Sequence, residues 1–162
     1  MLAYKYIIYY TLVYLKNILL LCASLQCNVS FVRHCKVKPF LTMKNDAQFV
    51  EVFACLGKST VLEPSVMAAV KQYVCAMYCK ANYTNVNELR YDIFKTRYQP
   101  NTSSKHLAVG DRIDLSLLPP CRSSLEMHTL RANYVAYTWK QANVTHPDIP
   151  SPLGLGWTSD NE

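Results

Sequence analysis

Hydrophobic residues recur along the second part of this chain at helical spacing. Phe49, Val52, Phe53 and Leu56 give one apolar stripe and predict a short helix over 47–56. Val66, Val70, Tyr73, Val74, Met77 and Tyr78 give a second, with Pro64 placed where a first helical turn tolerates it. A third helix is predicted to begin near Asn85, with Glu88 completing a capping box. Its inner face is Val86, Leu89, Ile93 and Phe94, flanked by Arg90 and Arg97. A long loop over 99–121 holds Pro100, a Ser/Thr cluster, Gly110 and Pro119-Pro120, and Leu115, Leu117 and Leu118 are expected to dock it. The last helix is predicted from Ser123, with Ser123 and Glu126 as a second capping box. Leu125, His128, Ala132, Val135 and Trp139 define its inward face, widened by Leu130, Tyr134 and Tyr137. The helix should stop before Pro147. Pro147, Pro150 and Pro152 then impose an extended tail whose one large apolar anchor is Trp157.

The pattern changes character in the first 44 residues. Twenty of the first 25 are apolar, the exceptions being Lys5, Thr11, Lys16, Asn17 and Ser24. Three accounts fit. A Lys-bearing start, an apolar run and small residues near Ser24 suit a signal peptide, although Lys16 and Asn17 interrupt the run. Residues 6–25 have the length of a membrane anchor, with Arg33, Lys36, Lys38 and Lys44 as a cytoplasmic flank. Lys16 near its middle would cost about 3 kcal/mol. A buried strand or helix, or an unstructured extension, is the third account, and Tyr6, Ile7, Ile8, Tyr9 and Tyr10 are strong strand formers.

Charge separates the same two pieces. The net charge is +6 over 162 residues, from 17 basic and 11 acidic side chains. No acid precedes Asp46, so the positive balance belongs almost entirely to the N-terminal third. The expected organisation is a hydrophobic then basic extension at 1–44, a helical domain at 45–146 and a Pro-rich tail at 147–162. The fold class is mainly α: a small irregular packing of three to four helices. With a hydrophobic fraction of 51%, the chain is not wholly disordered. Four Gly leave little room for glycine-rich phosphate loops.

Candidate chemistry is sparse. The seven Cys are an odd number, which does not suit a closed disulfide framework. Cys75 and Cys79 share a helix face and, with Cys121 and His128, could form a zinc site of three thiolates and an imidazole. The favoured account makes the cysteines small buried hydrophobes in a reducing compartment. His128 could carry a proton or ligate, but no nucleophile stands in a recognisable context around it, and a histidine hydrogen-bonded to a neighbouring helix is expected. Arg90 and Arg131 are expected to pair with Glu88, Asp92 or Glu126 rather than bind phosphate. Gly57-Lys58-Ser59-Thr60 mimics the end of a phosphate loop but lacks the upstream Gly, so a helix cap and turn is expected. Catalytic, cofactor and metal residues are therefore all assigned as none.

Taken in order, several stretches carry a resemblance. They are 49–56, Tyr73 to Tyr78, Val86-Asn87-Glu88-Leu89-Arg90 with Phe94, and Leu118-Pro119-Pro120. His128 to Tyr134 with Trp139 follows, then Pro150-Ser151-Pro152 and Gly156-Trp157. The series resembles the C-terminal region of uncharacterised animal proteins derived from mobile elements, across roughly residues 46 to 159. In fuller members of that group, a segment resembling PIN-like, flap-endonuclease-like nucleases lies upstream. This chain has no Gly-Cys-Asp-Thr stretch of that segment. Nuclease chemistry would need clustered carboxylates for metal ions. The resemblance thus implies a truncated, non-enzymatic helical region inside the cell, and because the core available over 46–142 is marginal for independent folding, it is expected to pack on a larger protein domain. Nucleic acid would be met only through the basic stretch at 33–44, and a membrane only through 6–25. The alternative is a small membrane-anchored or secreted helical protein, glycosylated at sequons Asn28, Asn82, Asn101 and Asn143.

Overall fold

The computed structural model describes residues 37–78, 82–97 and 117–159. Their architecture is mainly helical, with five helices and no strand among the described residues: α1 (Val37–Lys44), α2 (Ala47–Ala54), α3 (Pro64–Met77), α4 (Val86–Arg97) and α5 (Arg122–Lys140). The apolar segment at 6–25, Arg33 and Lys36 of the basic stretch, and Cys22, Cys27, Cys35 and Cys79 lie outside the described residues. So do Leu115 and most of the long loop.

Helix α1 falls within the stretch assigned from charge to the basic extension, and its Met43 is buried in the core. Pro39 sits in its first turn, where a missing N–H breaks no ladder bond, and Lys44 lies in its last turn, at the negative end of the helix dipole. Asp46 starts α2 by accepting a hydrogen bond from the Gln48 amide at 2.9 Å. Pro64 opens α3, as its position in the sequence requires.

Helix α3 is the hub, packed against all four others. The sequence predicts one apolar stripe on it. The structure buries Val66, Met67, Ala69, Val70, Tyr73, Val74, Cys75 and Met77, a wider surface, because neighbours lie on several sides. Phe49 and Phe53 of α2 meet Tyr73 edge-on, with ring centroids 5.5 and 5.0 Å away. Val86, Leu89 and Ile93 of α4 complete this side, and Leu118 docks the end of the long loop into it.

Two helix starts depart from the predicted capping boxes, although Asn85 caps α4 as expected. At α4, Asn85 Oδ1 accepts from the Asn87 amide at 3.0 Å, but Glu88 bonds the Asn85 side-chain amide rather than its backbone. At α5, the box of Ser123 with Glu126 does not form. The N-cap is Cys121, and the Arg122 amide donates to Asn87 Oδ1 of α4 at 2.9 Å. Glu126 is drawn instead to Arg122 Nε at 2.8 Å and Lys71 Nζ at 3.3 Å, where two cations outbid a backbone amide.

The inward face of α5 also differs from the predicted one. Its buried residues are Leu125, Thr129, Ala132, Asn133 and Ala136. Trp139 is 48% exposed, and His128 and Val135 are half-buried. Small side chains face inward because the segment after α2 passes directly over them. A Cβ on Gly57 would lie 2.6 Å from the Ala136 carbonyl carbon, and Gly57 has φ +72°. Both the close approach and the left-handed backbone require glycine.

Phe53 is 1% exposed and wedged against Tyr73. Phe53→Ala is expected to lower unfolding stability by about 3 to 5 kcal/mol, measured by urea denaturation followed by far-UV circular dichroism.

Candidate functional site

A cluster of polar contacts, centred on the buried Asn133, lies where α5 meets the turn after α2. Asn133 projects from the middle of α5 and is 2% exposed. Its Oδ1 accepts from the Gly57 amide at 2.8 Å, and its Nδ2 donates to the Ser59 carbonyl at 2.9 Å and the Thr60 carbonyl at 3.3 Å. One carboxamide therefore supplies both a donor and an acceptor to a turn more than 70 residues away in sequence. Beside it, Lys140 Nζ donates to the Leu56 carbonyl at 2.7 Å, satisfying an oxygen just past the C-terminus of α2. Burial, chiefly, and the neighbouring Lys58 hold the Lys140 ammonium below the usual lysine range. Thr129, fully buried one turn before Asn133, returns its hydroxyl to the Leu125 carbonyl at 2.7 Å.

This geometry decides the Gly57-Lys58-Ser59-Thr60 motif. A phosphate loop needs its amides free to face an anion. Here the Gly57 amide is occupied by Asn133, and the carbonyls of Ser59 and Thr60 face the same side chain. The stretch is the turn expected from its glycine, fastened by a residue that the hydrophobic pattern had not selected.

The two arginines correct the expected ion pairs. Arg90 reaches the Pro119 carbonyl through Nη1, and Arg131 reaches the Gly156 carbonyl through Nε. A guanidinium can bridge to backbone oxygens that turn chemistry leaves without partners. Arg90 thereby ties the Pro119-Pro120 segment to α4, and Arg131 ties the tail to α5.

The proposed thiolate–imidazole set is not assembled by the described residues. Cys79 lies outside them, and among them no group of three or more His, Cys, Asp or Glu side chains could hold a metal ion. Cys75 is fully buried and its thiol is pushed up to about 11 by desolvation, so it is a neutral core hydrophobe. Cys121 differs. It is half-buried at the N-cap of α5, and its thiol lies below the usual cysteine range. The Ser123 hydroxyl at 3.3 Å is the leading cause, followed by the Ser124 amide. His128 lies beside the core rather than in it. Burial first, and Arg131 second, hold its imidazole below the ordinary histidine value.

No described helix is long and apolar enough to cross a membrane, and 6–25 falls outside the described residues. No family model, curated protein or solved structure matches this chain.

Asn133→Ala would leave the Gly57 amide and two carbonyls without their partner. The expected loss is about 2 to 3 kcal/mol of stability, measured by chemical denaturation. His128 generates a pH dependence of known sign. Its folded-state value is depressed, so the unfolded chain takes up the proton more readily. Stability is full above about pH 6.5 and falls as the pH drops from there toward the lowered folded value. His128→Gln is expected to flatten that decline in thermal melts between about pH 7 and pH 5.

Proposed function

We propose that this chain is the non-catalytic C-terminal helical region of a mobile-element-derived protein, acting by packing against a larger protein domain. One observation carries the proposal. Five polar residues of the resembling stretches hydrogen-bond backbone groups far away in sequence, three of them backbone of another resembling stretch. Asn87 meets the start of α5, and Arg90 meets Pro119. Asn133 holds the turn after α2, while Arg131 and Tyr134 hold Gly156 and Pro150. Segments scattered over roughly a hundred residues are thus tied together by polar contacts. Side chains held in this way position backbone, and are not presented to a substrate. The upstream nuclease-like segment of fuller relatives would supply any metal-binding carboxylates, and the basic stretch at 33–44 is where nucleic acid would touch.

The test is a cleavage assay on the purified whole chain with Mg²⁺ or Mn²⁺ and flap, single-stranded and duplex DNA. No metal-dependent cleavage above a protein-free blank is expected. Reproducible cleavage abolished by a single side-chain substitution overturns the proposal.

A second reading, a membrane-anchored or secreted glycoprotein, is favoured by the sequons. Asn82 and Asn143 are both exposed, Asn143 three residues beyond α5, so a glycan would meet no packed surface at either. Asn28 and Asn101 lie outside the described residues. An endoglycosidase-sensitive mass shift on expression in a secreting animal cell would support this reading over the first.

A further inference from the structure

The tail does not simply trail away from α5. Residues 142–149 are exposed and lead to a segment that turns back along the helix. Within that segment, the Leu155 amide donates to the Pro152 carbonyl and the Gly154 amide to the Trp157 carbonyl, each at 3.0 Å. A bridge between Leu153 and Trp157 completes the turn. Gly154 and Gly156 supply the positive φ angles, +78° and +102°. The turn is therefore closed by its own hydrogen bonds.

Its attachment is equally local. Tyr134 Oη donates to the Pro150 carbonyl at 3.0 Å, and Arg131 Nε donates to the Gly156 carbonyl. The Trp157 ring packs edge-on against Tyr134 at 5.3 Å, with the Arg131 guanidinium carbon 5.7 Å from its centroid. Gly156 is pressed onto α5, where a Cβ would come within 2.6 Å of Arg131 Cγ and 2.8 Å of the Met127 carbonyl. The hydrophobic core, by contrast, takes no described residue after Ala136.

A unit that closes on itself, hangs on two side chains of one helix and shares no core residue has the construction of a separately opening element. We propose that residues 150–157 form a detachable clasp on α5, which releases as one piece while the helical core stays folded. Release bares a strip of α5 running from Met127 through Arg131 to Tyr134, carrying a guanidinium and a phenol. It also frees the Trp157 indole. The chain thereby has a closed and an open form of the same helix surface.

Amide hydrogen exchange on the full chain, read residue by residue by NMR across low denaturant concentrations, tests this. The Gly154 and Leu155 amides should be protected, should share one opening free energy and should show little denaturant dependence. The Gly57 amide, held by Asn133, should open only with global unfolding. Arg131→Ala should speed exchange at Gly154 and Leu155 by about tenfold or more, with Gly57 unchanged. Trp157→Ala should do the same, and it leaves α5 itself intact. The clasp is overturned if Gly154 and Leu155 follow Gly57 in denaturant dependence, or if either variant accelerates Gly57 in parallel. It is equally overturned if the tail amides exchange at unprotected rates in the unaltered chain, or if neither variant changes them.

Discussion

A single carboxamide sets the geometry of this fold. Asn133 faces inward from α5 and holds the turn that follows α2 by its amide and two of its carbonyls. The buried Gly57 amide needs a partner that solvent cannot supply, and the same side chain also engages the partly buried carbonyls of Ser59 and Thr60. Asn is the side chain suited to the task, because it offers donor and acceptor from one short, planar group. Once the turn is held, Gly57 must lie against the backbone of α5. That contact explains the small residue Ala136 on the helix face beneath it.

The rest of the packing follows from having one central helix in a small assembly. Helix α3 is shared by all the others and is buried over most of its surface. Helix α4 is tied to the start of α5 and to the segment before it by polar contacts: Asn87 to the Arg122 amide, and Arg90 to Pro119. The Lys71–Glu126 ion pair adds a further tie between α3 and α5. Such contacts contribute modest net stability but strong directionality. They hold a core of limited size in one defined arrangement.

Much of the helical layout was legible in the residues. Pro64 and the apolar spacing after it place α3, and Phe49 and Phe53 place α2. Asn85 correctly marks the start of α4, since its side chain caps the next turn in any context. What was not legible was partner choice. Ser123 and Glu126 have the spacing of a capping box, yet Lys71 and Arg122 take the carboxylate. Arg90 and Arg131 had acids nearby in sequence, yet they hydrogen-bond backbone carbonyls brought close by folding. The polar stripe of Thr129 and Asn133 was missed for the same reason: hydropathy counts an Asn as outward-facing unless its distant partner is known.

Local rules are short-range. Helix spacing, capping residues, prolines and the Gly57 turn act within a few residues, so the amino-acid order by itself settled that this is a mainly helical chain and roughly where its helices run. Which face of α5 points inward, which carboxamide closes which turn, and how the tail returns to Tyr134 and Arg131 were decided only in three dimensions. Those choices depend on desolvated polar groups finding partners tens of residues away, and on whether two backbones can approach closely enough to exclude a Cβ. Neither quantity exists until the elements have packed.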